Sequence, residues 1–153
     1  MKPITFQCSK AIPRSALEIC SEIADVGRWS EFGGYGILPG IENAEYEKRT
    51  DNMIGSRIRV RNTDGSGHVE EISVWIPGKE VAMKLHEFTP PLSHLATHFT
   101  EEWILKAGND ATHVTRKFQM YPKRFMTRPF VWLISLLFRR AIARHLAEMA
   151  AMT

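Results

Sequence analysis

Residues 95–121 read LATHFTEEWILKAGNDATHVTRKFQMY. Leu95, Thr97, Phe99, Glu101, Trp103 and Leu105 alternate with polar neighbours, and so do Thr112, Val114, Arg116, Phe118 and Met120. A period of two marks strands with one buried face. Gly108-Asn109 between them predicts a two-residue turn with glycine first. That turn pairs Ala107 with Asp110, and therefore Trp103 with Val114, Phe99 with Phe118 and Glu101 with Arg116. Slipping the pairing by one residue would send every side chain to the wrong face.

Strand signals continue upstream. Residues 42–49 and 55–61 read as strands, the second with Ile58 and Val60 inward and Arg57, Arg59 and Arg61 outward. Thr63-Asp64-Gly65-Ser66 has hairpin chemistry, and residues 68–76 return to Pro77-Gly78. Val81, Met83 and Leu85 alternate next, and Pro90-Pro91 then marks a connection rather than a ladder. At the start of the chain Ile4, Phe6 and Cys8 alternate. Pro13 and Ser15 open a helix carrying Leu17, Ile19, Cys20 and Ile23, and a short helical turn is expected around Trp29–Phe32. Downstream, residues 127–152 read as one long helix whose core stripe is Val131, Phe138, Ile142, Leu146 and Met149. The expected fold class is α+β, with a curved antiparallel sheet and one long helix laid across it. Such a pair cannot close its core tightly, and the gap predicts a cavity for a small, mostly apolar molecule.

Bulk properties fit one domain spanning 1–153: 153 residues are enough to bury a core, with 44% hydrophobic and 24% charged residues. A formal net charge of +3 is too small to argue for nucleic acid. Cys8 and Cys20 are expected buried and reduced. The amino-terminal stretch lacks the apolar segment of a signal peptide, and the longest apolar run is about half a membrane span, so the cytoplasm is the expected address.

The opening strand, the helix begun by IPRSA (12–16), GRWSEF (27–32), EEISVWIPGKE (70–80) and GNDATHVTRKF (108–118) follow one another in an order that resembles the START-like (SRPBCC) superfamily. The likeness is to its polyketide cyclase/dehydrase and lipid-transport branch, and it covers nearly the whole chain. It implies a helix-grip fold: seven antiparallel strands around the C-terminal helix, with two short helices after the first strand. It further implies a hydrophobic ligand, since most members bind one and a minority catalyse cyclisation or dehydration.

Glu101 and Arg116 are the leading site candidates. Both share the concave, apolar face, where a charge is costly unless paired. They either orient the polar end of a ligand or pin the strand register. Phe99, Trp103, Phe118, Met120 and Trp132 are expected to enclose the rest of the ligand, and Trp29 and Tyr35 are further wall candidates. His145 sits beside the core stripe of the last helix, either as a cavity acid–base group or as a satisfied core histidine. Glu71, in phase with Val69 and Trp75, is either a further inward carboxylate or solvent-exposed after a bulge. His94 and His98 stand four apart, but alternation puts them on the outer face of a strand, so no metal site is expected. The chain has no G-x-S-x-G and no glycine loop with phosphate-binding spacing, so neither a nucleophile nor a cofactor is expected.

Three functions remain open: a non-catalytic carrier or sensor of a lipid, polyketide or quinone-like molecule, an aromatase/cyclase- or dehydratase-like enzyme, and a peripheral membrane protein that handles lipid or quinone. The last arises because Phe130, Val131, Trp132, Leu133, Ile134, Leu136, Leu137 and Phe138 are apolar all round, between Lys123, Arg124 and Arg128 on one side and Arg139 and Arg140 on the other. That run is covered by loops or the Gly33–Gly36 segment, by a second copy in a homodimer, or by an anionic membrane.

Overall fold

The computed structural model describes residues 1–152. Strand β1 (Ile4–Ile12) leads into helix α1 (Ala16–Ala24) and a 3-10 turn (Val26–Glu31). Ser15 starts α1 by accepting a hydrogen bond from the Glu18 amide at 3.1 Å. Then come β2 (Ile41–Lys48), β3 (Arg57–Asn62), β4 (Gly67–Ile76), β5 (Glu80–His86), the short helix α2 (Leu92–Leu95), β6 (Ala96–Ala107) and β7 (Thr112–Pro122). A 3-10 turn (Phe125–Thr127) feeds the long helix α3 (Arg128–Ala151), with Pro129 in its first turn, where a missing amide costs nothing.

All seven strands pair antiparallel in the order β1-β7-β6-β5-β4-β3-β2. From β2 to β7 the sheet is a meander, and β1 returns to close it beside β7. Helix α3 crosses the concave face and buries Val131, Ser135, Ile142, Leu146 and Met149. The fold is the expected helix-grip α+β arrangement.

Three expectations need correction, and for Glu71 the structure decides between the two alternatives. The last hairpin turns through four residues, with Gly108 donating its amide to the Ala111 carbonyl, so Ala107 pairs with Thr112. Trp103 therefore faces Arg116, Glu101 faces Phe118 and Phe99 faces Met120. The shift is by two residues, a full pleat, so every side chain keeps its face. Second, a bulge between Ala96 and His98 buries Ala96 and leaves Thr97 exposed, while Leu95 and His94 lie on α2 rather than on the strand. Another bulge, at Ser73 between Ile72 and Val74, reverses the phase of β4. His68, Glu70 and Ile72 therefore face inward before it and Trp75 after it, while Glu71 sits outside beside Arg57 and His86. Third, Cys8 is only half-buried, whereas Cys20 is buried, and both are free thiols.

Candidate functional site

Between the inner face of the sheet and α3 lies a cavity of about 360 Å³. Met83, Leu85, Phe99, Trp103 and Phe118 form its floor. Ile134, Phe138 and Ile142 of α3 form one wall, and Trp29, Phe32 and Leu38 another. Phe138 anchors the aromatic packing: its ring lies 4.9 Å from Phe118, 6.0 Å from Phe6, 6.2 Å from Phe99 and 6.4 Å from Phe32. Trp29 is locked in place by its indole N–H donating to the Ile23 carbonyl at 3.0 Å.

Arg116 is the polar centre. Its Nε donates to Glu101 Oε2 at 2.6 Å, and its Nη1 lies 3.1 Å from His145 Nδ1. Its guanidinium carbon sits 4.1 Å from the centroid of the Trp103 ring. Arg116 and Glu101 are only 6% and 4% exposed. Burial pushes the Glu101 carboxyl up to about 7, and the Glu70 charge adds to this; the adjacent Arg116 pulls the other way without cancelling it. Burial, followed by the Arg116 charge, lowers His145 to about 3, so the imidazole is neutral. Since a guanidinium has only donors, His145 Nδ1 accepts and the ring proton resides on Nε2.

Two further polar groups sit in this cavity. Glu70 on β4 is buried, and its Oε2 lies 2.9 Å from His68 Nε2, with both residues in the lining. Trp103 Nε1 is buried without a hydrogen-bond partner. Glu70 escaped the sequence reading because the dipeptide Glu70-Glu71 offers a carboxylate to each face, and only the bulge decides which goes inside. The alternation alone left a bulge there as one of two readings and did not choose between them.

Of the ten residues expected at the site, Glu101, Arg116, Phe99, Trp103, Phe118, His145 and Trp29 line the cavity. The other three do not reach it. Met120 is fully buried on the same face of β7 as Phe118 but outside the chamber, Trp132 is half-exposed on the outer side of α3, and Tyr35 packs against Arg140 and Arg144 on the far side of its loop. Tyr35 is held there because Arg144 donates to the Gly34 carbonyl, tying residues 33–36 to the outer flank of α3.

No protein-family model matches the sequence, and no curated protein matches it by sequence. Solved structures match by shape. The ZhuI aromatase/cyclase from Streptomyces sp. R1128 superposes with a TM-score of 0.73 at 12% identity, covering 95% of this chain and 93% of that one. This chain has the START-like helix-grip fold. A START superfamily protein from Mycobacterium smegmatis shares the fold at a TM-score of 0.64 and 12% identity, over 95% of this chain and 98% of that one. The major latex-like protein 151 of Panax ginseng shares it at 0.65 and 15% identity, with the same coverage. In this helix-grip fold the gap between sheet and α3 is the cavity described above.

Proposed function

We propose that the chain acts as one unit that carries or senses a small, mostly apolar molecule bearing an oxygen acceptor, held in the 360 Å³ cavity with its polar end toward Arg116. The observation that carries this reading is a mostly apolar chamber into which a few polar groups converge, the usual construction of a small-molecule site. Arg116 supplies charge and direction, and the unpartnered Trp103 N–H supplies a donor that a ligand oxygen would satisfy. The separate His68–Glu70 pair favours a ligand with a second polar group, such as a hydroxylated polycycle, over a plain acyl chain. The solved structures of like fold, one of them described as an aromatase/cyclase, support a ligand chamber in this architecture.

The test is fluorescence titration with 1-anilinonaphthalene-8-sulfonate, an apolar anion, alongside native mass spectrometry of freshly purified protein with extraction of any adduct. Saturable one-site dye binding that a co-purified adduct displaces supports the reading. Absence of both saturable dye binding and adduct overturns it.

A second reading, an enzyme acting on a polyketide-type chain, is favoured by one observation: Glu101 is poised near neutrality beside a fixed cation, with a second carboxylate, Glu70, in the same chamber. Here Arg116 polarises a carbonyl and Glu101 moves a proton. Turnover of a poly-β-carbonyl thioester that Arg116→Ala and Glu101→Gln both abolish, with apolar binding partly kept, is the expected result. No turnover by the wild-type protein counts against it.

A further inference from the structure

The outer side of α3 changes character along its length. From Tyr121 to Ala147 the chain carries six cations (Lys123, Arg124, Arg128, Arg139, Arg140 and Arg144) and no Asp or Glu. Within that basic stretch six large apolar side chains are exposed: Phe125, Met126, Phe130, Trp132, Leu133 and Leu136. Phe125 and Met126 project most, at 78% and 81% exposure. Together with the exposed Pro129 and the half-buried Leu137, the six fall into two rows at spacings of four, three and four residues: Phe125, Pro129, Trp132, Leu136, and Met126, Phe130, Leu133, Leu137. Within α3, residues so spaced share a helix face, and Phe125 and Met126 sit on the 3-10 turn that leads into it.

The second row ends at the cavity. Leu137 lines it, and so does Ile37, 91% exposed on the neighbouring loop. That loop reaches Leu137, since a Cβ on Gly36 would sit 3.8 Å from Leu137 Cδ2, but it leaves the six outward side chains open. Cover from within the chain therefore stops short of this face. A second copy fits poorly: a two-fold contact centred on the apolar rows sets one basic rim against the other. An anionic lipid surface complements both features at once, taking the apolar rows into the headgroup boundary and the cations against its charge.

We propose that the face formed by the turn Phe125–Thr127 and the first half of α3 docks on an anionic bilayer. Docking puts the Leu137–Ile37 rim of the cavity at the lipid surface, so an apolar ligand passes between membrane and chamber without crossing water. That last step rests on the ligand-binding reading; docking does not.

The test is co-sedimentation of the full chain with phosphatidylcholine vesicles carrying about one-third phosphatidylserine, against vesicles of phosphatidylcholine alone. Binding is expected to the anionic vesicles and to weaken at high salt. Phe125→Asp with Leu133→Asp, and separately Lys123→Gln with Arg124→Gln, are each expected to lower it about tenfold with an unchanged circular dichroism spectrum. These positions are exposed, so the variants test contact rather than folding. Ile134→Trp, which obstructs the cavity, is expected to abolish dye binding and leave docking intact, which separates a failure of this proposal from a failure of the ligand reading. Three results overturn it: no binding to anionic vesicles, binding that both double variants retain, or a vesicle-free dimer that Phe125→Asp with Leu133→Asp dissociates.

Discussion

Arg116 meets three partners with one buried guanidinium. It makes a charge-assisted bond to Glu101, donates to a neutral His145 and covers the Trp103 ring, all out of water. Arg116→Met leaves Glu101 buried with no cation, which costs roughly 3 kcal/mol where the carboxylate is ionised. The loss measured by urea unfolding is therefore expected to be larger at pH 8 than at pH 6, because at the lower pH Glu101 takes up a proton. In the wild-type protein Glu101 and His145 oppose each other. Glu101 has a folded value of about 7 against 4.5 unfolded, so the stability it contributes is present at low pH and lost as pH rises from about 4.5 through 7. His145 has a folded value of about 3 against 6.5 unfolded, so its contribution is present above 6.5 and lost as pH falls toward 3. His145→Gln removes the second slope only. Relative to wild type, the variant is expected to gain stability progressively as denaturation is measured at pH 7.5, 5.5 and 4. A flat difference across that range would show that His145 protonates freely in the folded state.

The segment between the first 3-10 turn and β2 sets the height of the cavity roof, and one glycine makes its path possible. Gly34 has φ +73°, and a Cβ there would run into the Leu38 carbonyl and the backbone of Pro39 and Gly40. Gly34→Ala is therefore expected to destabilise by more than about 1 kcal/mol and to weaken dye binding, since Leu38 and Pro39 line the chamber. Wild-type affinity in that variant would mean the roof does not shape the site. Helix α3 carries a different load. Its residue Leu146 is fully buried but does not line the cavity. Leu146→Ala is expected to cost 2–5 kcal/mol (an order-of-magnitude range for large-to-small core changes) by thermal or chemical unfolding, with dye affinity unchanged.

Core and chamber are thus separable properties of one molecule. The stability of this fold comes from side chains such as Ile12, Ile19, Ile58, Val114 and Leu146, packed where strands, α1 and α3 meet. The chamber is what remains where α3 lifts away from the sheet. Ile134→Trp, at a half-buried lining position, is expected to abolish dye binding while shifting the melting temperature little, the mirror image of Leu146→Ala. If both variants moved both quantities together, the chamber would be part of the cooperative core rather than an addition to it. Among the described residues no helix is long and apolar enough to cross a membrane.

Period-two and period-3.6 patterns carried most of this architecture. Alternation placed Phe99, Glu101, Trp103, Val114, Arg116 and Phe118 on the inner face, and the helical stripe placed Ile142, Leu146 and Met149 on the sheet. Those assignments survive a hairpin register wrong by two residues, because a pleat repeats every two. They do not survive a bulge, which inserts a single residue and flips the phase: hence Thr97 outside and Glu70, not Glu71, in the chamber. Distance was equally invisible along the chain. Met120 and Trp132 look like Phe118 and Phe138 in character, yet one is buried in the core away from the chamber and the other lies on the outer side of α3. Local periodicity records which way a side chain points, whereas whether it meets a void depends on how far a helix stands from a curved sheet, and that spacing is the joint result of packing at many positions at once.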